Sequence, residues 1–196
     1  MRAFYAVRLP SPKATETRLR KRKQLPDSPL RKALETLAEM PGPVHPVAAE
    51  NLHLTLKFLG DVSESCLTEA RQILESVAEG HKSFQLRIAG TGVFPHIRRP
   101  RVIWAGVQPA QPVTSIAKAL DTACTRIRIE QENRAYRPHL TLARLKGPPP
   151  DTLLHWLREH HDDEFCSFEV DRLELLQSVH ANDGVQYQTV ATAPLI

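Results

Sequence analysis

Apolar residues recur along this chain in two rhythms. After Pro112, the positions Val113, Ile116, Ala117, Leu120, Cys124 and Ile127 fall three and four apart, the stripe of one helix face. Leu67, Ala70, Leu74 and Val77 repeat that spacing between Ser63, a residue suited to cap a helix, and Gly80, suited to end one. Leu30, Leu34, Leu37 and Met40 mark a third helix stopped by Pro41, and 152–160 reads as a short fourth. Elsewhere, β-branched and aromatic residues alternate with polar ones, which predicts strands at 2–9, 52–59, 84–89, 101–107, 139–145, 168–178 and 185–193. Strands interspersed with helices indicate a mixed α/β or α+β fold.

The pattern also repeats itself. Arg2-Ala-Phe-Tyr-Ala-Val-Arg-Leu-Pro10 is echoed in type and order by Arg101-Val-Ile-Trp-Ala-Gly-Val-Gln-Pro109. Each run is followed by a helix-compatible stretch and then by the tetrapeptide His-Leu-Thr-Leu, first at 53–56 and again at 139–142. The first half is longer, and its extra residues fall in the basic, proline-punctuated stretch between Arg18 and Pro46. Two copies suggest two related lobes; a solenoid needs about three or more. The chain is expected to form one bilobal unit over 1–196.

In a strand, residues two apart share a face. His53, Thr55 and Lys57 therefore point one way, opposite Leu52, Leu54, Leu56 and Phe58. Arg137, His139 and Thr141 do the same opposite Leu140 and Leu142. If the lobes confront each other, two imidazoles and two hydroxyls converge on one cleft. One neutral histidine can then take a proton while one protonated histidine gives one, and threonine hydroxyls can donate to oxygens on which charge grows. Phosphodiester cleavage needs those two proton transfers and that stabilisation.

Composition changes this picture little. At 41% hydrophobic and 24% charged residues, the chain is an ordinary globular sequence, not a disordered or collagen-like one. Lys and Arg exceed Asp and Glu by 26 to 22, a mildly basic balance compatible with an anionic partner. Cys66, Cys124 and Cys166 are scattered and odd in number, which predicts reduced thiols and no disulfide or zinc framework. The first residues lack the apolar heart of a secretory signal and no apolar run is long enough to span a bilayer, so the expectation is a cytoplasmic protein with no membrane partner. His160-His-Asp-Asp-Glu164 lacks the spacing of a metal site and reads as a polar turn. No metal and no cofactor are expected. His45, His81, His96, His155 and His180 have no partner motif.

The paired motifs resemble those of the two-histidine phosphoesterase superfamily, and within it the RNA 2′,3′-cyclic phosphodiesterases, also called 2′-5′ RNA ligases. The resemblance is carried by Arg2-Ala-Phe-Tyr-Ala-Val7, Glu50-Asn-Leu-His-Leu-Thr-Leu-Lys-Phe-Leu-Gly60, Gly92-Val-Phe-Pro95, Arg99-Pro-Arg-Val-Ile-Trp104 and Arg137-Pro-His-Leu-Thr-Leu-Ala-Arg144. One departure is Val44-His-Pro-Val47, where relatives usually carry an arginine and an aromatic. The resemblance implies an α+β bilobal fold of two pseudo-symmetric lobes of antiparallel strands flanked by helices, with a central cleft. It implies a metal-independent enzyme that opens a 2′,3′-cyclic phosphate at an RNA end to a 2′-phosphate, with 2′-5′ joining as the reverse. By that resemblance His53 is the general acid, His139 the general base, and Thr55 and Thr141 hold the phosphate.

Other residues are candidates from position alone. Arg137 shares the face of His139 and could contact phosphate. Arg99 and Arg101 could meet an RNA backbone, and Phe94 and Tyr136 could stack a base. Arg18-Leu-Arg-Lys-Arg-Lys23 is the densest basic run, and Lys57 is expected to be solvated. A monomer is expected. Two readings stay open beside the RNA enzyme: a phosphodiesterase for small cyclic nucleotides such as ADP-ribose cyclic phosphate, and a non-catalytic RNA- or nucleotide-binding module.

Overall fold

A computed structural model describes residues 1–10, 28–181 and 184–196. The basic run 18–23 lies outside the described residues. β1 (Arg2–Arg8), β3 (His53–Asp61), β8 (Arg172–Ala181) and β9 (Gly184–Pro194) form one antiparallel sheet in the order β3-β1-β8-β9. β2 (Val44–Pro46), β4 (Phe84–Phe94), β5 (Val102–Gln108), β6 (His139–Leu145) and β7 (Glu164–Val170) form a second, in the order β2-β6-β5-β4-β7. α1 (Pro29–Glu39) touches both edge strands, β2 and β7, so this sheet curls into a half-barrel around it. The fold is α+β with two antiparallel sheets and flanking helices, as the resemblance implied.

The two halves of the chain exchange strands. β4 follows α2 (Glu64–Ala78) yet pairs with β5, while β8 pairs back onto β1 and carries β9 on its outer edge. α3 (Ala110–Ala123) packs against β3 and α2, and α4 (Asp151–Glu159) buries Leu153, Trp156 and Leu157. A continuous apolar cluster runs from Tyr5 and Leu54 of the first sheet to Ile103 and Leu140 of the second.

The helical stripes are where periodicity put them. Ser63 Oγ accepts from the Cys66 N–H at 3.2 Å, the cap expected of it. Two strand expectations change. The stretch 168–178 is two strands in different sheets, parting at Asp171, whose exposed carboxylate is tied to Arg172 at 2.7 Å. β2 forms where no strand was expected, because Val44, His45 and Pro46 lie along the free edge of β6. No helix among the described residues is long and apolar enough to cross a membrane.

Candidate active site

β3 and β6 are edge or near-edge strands of different sheets and lie side by side, with Cα atoms within 8 Å. The Tyr136 hydroxyl ties them by donating to the Thr55 carbonyl at 2.8 Å. On each strand the leucines are buried, while histidine and threonine are half-buried on the opposite face.

The two histidines are held alike. His53 Nδ1 is 2.7 Å from the Asn51 carbonyl, and His139 Nδ1 is 2.7 Å from that of Arg137. A carbonyl only accepts, so each Nδ1 carries the proton and each neutral ring keeps an Nε2 lone pair. An aromatic edge fixes each ring: Tyr187 stands T-shaped to His53 at 4.9 Å and 79°, and Phe94 to His139 at 4.9 Å and 83°. Phe4 also touches His53 at 4.9 Å. Beneath the first histidine, Phe4, Ala6 and Leu176 make a small apolar floor of their own.

Burial pushes the His53 imidazole down to about 4, and the positive charges of Arg8 and Arg144 and the neighbouring His139 push the same way, against the Asn51 carbonyl. His139 is lowered for the same leading reason, with Arg144 adding to it and the Arg137 carbonyl opposing. The influence of His139 on His53 and their common neighbour Arg144 place both histidines in one electrostatic environment.

Arg144 is a residue that strict alternation hides, because it puts the side chain behind the sheet with Leu140 and Leu142. In the register of β5 with β6, Ile103 meets Ala143 and Trp104 meets Thr141, which leaves Leu142 as an extra, bulged residue. The bulge reverses the alternation, burying Ala143 and turning the exposed Arg144 to the face of His139. β3 does the same: Tyr5 meets Lys57 and Ala6 meets Thr55, so Leu56 bulges. Two expectations fall with it. Lys57 is buried at 4% exposure, its Nζ 2.7 Å from Asp121 Oδ1 and donating to the Glu130 carbonyl at 2.7 Å. Phe58 instead emerges at 57%, its ring 5.7 Å from Phe4.

The internal echo also needs correction. Arg8 stands opposite His53 and Gly106 opposite His139, while Ala6 and Trp104 stand opposite the threonines. The structural match is one residue out of step with the sequence match, enough to exchange the two faces of a strand. Arg8, missed for that reason, lies beside His53, donates from Nη2 to the Tyr187 carbonyl, and has a buried Nε with no partner among the described residues.

The remaining candidates divide. Phe94 lies in the cleft, against His139 and 5.3 Å from Trp104. Arg137 is exposed and serves the site through its carbonyl. Arg99 and Arg101 are exposed in the β4–β5 connection. Tyr136 donates its hydroxyl to the Thr55 carbonyl and packs, partly buried, against the core, bracing the two strands. His160 pairs with Asp163 at 2.6 Å and His161 with Asp162 at 2.7 Å. Among the described residues, no group of three or more His, Cys, Asp and Glu side chains is placed to hold a metal ion.

Comparison with known proteins completes the description. Residues 26–182 match the family model of the 2′-5′ RNA ligase superfamily. The chain is similar to the RNA 2′,3′-cyclic phosphodiesterase of Aquifex aeolicus, 34% identical over 146 residues covering 74% of this chain and 78% of that one. It is likewise similar to that of Aeropyrum pernix, 35% identical over 158 residues covering 80% and 89%. Among solved structures, TT0787 of Thermus thermophilus superposes with a TM-score of 0.77 at 27% identity, covering 100% and 98% of the two chains. E. coli LigT complexed with 3′-AMP superposes with a TM-score of 0.72 at 26% identity, covering 99% and 97%.

Proposed function

The chain belongs to the 2′-5′ RNA ligase superfamily and is a two-histidine phosphoesterase, and from that premise we propose that it hydrolyses the 2′,3′-cyclic phosphate at an RNA end to a 2′-phosphate. The observation that carries the reading is the duplicated unit: a half-buried imidazole whose Nδ1 proton is tied to a carbonyl, with a threonine two residues on. The names of the relatives, RNA 2′,3′-cyclic phosphodiesterases, and of a LigT complex with 3′-AMP support the substrate class.

In this reading Thr55, Thr141 and Arg144 hold the non-bridging oxygens, with Arg137 at the rim. His139 takes a proton from water as it attacks phosphorus. His53 gives one to the departing 3′ oxygen, leaving a 2′-phosphate and a 3′-hydroxyl. An imidazole pushed down to about 4 carries almost no proton at neutral pH, so in this reading the bound substrate restores it. A phosphate anion offsets the charges of Arg8 and Arg144, both of which bear on His53, whereas Arg144 is the arginine that bears on His139. Binding therefore raises His53 more, which fits it to the acid role. Arg99, Arg101 and Phe94 are positioned for the RNA leading to the end. Joining through a 2′-5′ bond is the same displacement with a 5′-hydroxyl in place of water: the 5′ oxygen bonds to phosphorus and the 3′ oxygen leaves with a proton.

The test is an oligonucleotide ending in a 2′,3′-cyclic phosphate, incubated with the protein in EDTA. The expected product is the 2′-phosphate; a 3′-phosphate, or turnover that requires added metal, would contradict the mechanism. The roles separate with a leaving group that needs no proton. On a p-nitrophenyl phosphodiester, His53→Ala should keep far more activity than His139→Ala.

A further inference from the structure

The wall beside the first histidine is fastened by side chains. β9 is the last strand of its sheet, and Val185 and Tyr187, two residues apart, turn their carbonyls toward one edge of it. Asn51 Nδ2 donates to the Val185 carbonyl at 2.8 Å, and Arg8 Nη2 donates to that of Tyr187. Both donors belong to the surroundings of His53. Arg8 stands opposite it in the register of β1 with β3, and the Asn51 carbonyl lies 2.7 Å from its Nδ1.

Asn51 therefore acts twice. Its carbonyl sets which His53 nitrogen carries the proton, and its amide fastens that carbonyl to the strand whose Tyr187 ring stands against the imidazole. The contacts close on themselves, from the ring through Asn51, Val185 and Tyr187 back to the ring. Of the influences on His53, that carbonyl is also the one that favours the proton, against burial, Arg8, Arg144 and His139. Asn51 ends the short 3₁₀ turn Ala49–Asn51, in which no residue is buried, so packing does little to hold it in place. The second motif is anchored otherwise: next to Arg137, whose carbonyl holds His139, the Tyr136 hydroxyl reaches the Thr55 carbonyl.

Resting on the reading above, in which His53 is the acid, we propose that the Asn51 side chain is a positioning residue for that ring. Its hydrogen bond to Val185 keeps the backbone carbonyl aligned on Nδ1, which leaves Nε2 to give its proton to the departing 3′ oxygen. Without the tie the carbonyl drifts from the ring, and in the neutral imidazole the proton divides between the two nitrogens. The last hairpin thereby serves proton transfer at a motif 134 positions earlier in the chain.

The experiment reads the reaction and the ring separately. In Asn51→Ala, kcat on the oligonucleotide ending in a 2′,3′-cyclic phosphate should fall about threefold to tenfold, the worth of one neutral hydrogen bond, with KM changed by less than about twofold. On a p-nitrophenyl phosphodiester, whose leaving group needs no proton, the loss should be far smaller. Two-bond nitrogen–proton NMR spectra at pH 8, where both rings are neutral, report the tautomers without any substrate. His53 should show the Nδ1–H pattern in the unaltered protein and a mixture of tautomers in Asn51→Ala. His139 should keep its pattern in both, which also shows that the variant has folded. If Asn51→Ala does not fold, Asn51→Asp, which matches the shape but cannot donate, should mix the His53 tautomers in the same way. An unchanged His53 pattern, or equal losses on the two substrates, overturns the positioning role while leaving the reaction standing. Failure of the unaltered protein to turn over the oligonucleotide overturns the reaction, and with it the part Asn51 plays in proton transfer.

Discussion

The first and second sheets present the same device in different surroundings. Both have a His-Leu-Thr-Leu strand bulged at its second leucine, a carbonyl on Nδ1 and an aromatic edge against the ring. What surrounds the device differs at three matched places: Arg8 against Gly106, Lys57 against Ala143, Phe58 against Arg144. Duplication supplies two imidazoles, and the unmatched neighbours make them unequal. His53 has two arginines bearing on it and His139 has one.

The most direct way to break the comparison is to remove either ring. His53→Ala and His139→Ala should each lower kcat/KM on a cyclic phosphate end by about 10² to 10⁴, since each removes one proton transfer. The double variant should lose little beyond the worse single one, because groups that act as a unit do not add. A double variant that keeps the kcat/KM of the unaltered protein would sink the two-histidine account. At the second matched place, Lys57→Ala leaves Asp121 facing a buried gap and should cost about 3 to 5 kcal/mol in chemical denaturation. Ala143→Ser, at the matched site, should cost far less.

Acid sharpens the contrast between the rings. His53 is lowered in the folded chain, so below the ordinary histidine value of about 6.5 the unfolded state takes up a proton that the native state refuses. Its contribution to stability is therefore complete above pH 6.5 and declines as the pH falls towards 4, by up to roughly 3 kcal/mol. In His53→Gln, denaturation followed between pH 7 and 4 should show a shallower loss; an unchanged slope would mean the ring is not desolvated. At the third place, Arg144→Ala should lower kcat/KM about tenfold to a hundredfold, in line with losing a charged hydrogen bond, and Phe58→Ala much less. The smallest effect is expected at the brace between the sheets. Tyr136→Phe should cost about 1 kcal/mol of stability.

Helices and motif strands were legible because their signals are periodic. The stripe from Val113 to Leu120 and the cap at Ser63 state themselves in residue spacing, and two copies of one tetrapeptide announce a paired site. A bulge carries no such mark. One extra residue at Leu56 or Leu142 alters no composition or motif, yet it decides whether Lys57 or Phe58 is buried and which way Arg144 faces. The same single-step ambiguity hid Arg8, because the echo aligned by residue type runs one place away from the echo aligned by backbone pairing. Tyr187 was beyond reach for another reason: its partners Phe4 and His53 are brought to it by sheet order, which local sequence does not state.

That order of strands sets a timetable. β1 is made long before β8, which completes its ladder, and Arg8 and His53 wait for Tyr187 of β9. A nascent chain bearing both tetrapeptides still lacks the wall that steadies its first imidazole. Pairings between such distant segments form slowly, so the first histidine should acquire its native environment only when the β8–β9 hairpin docks.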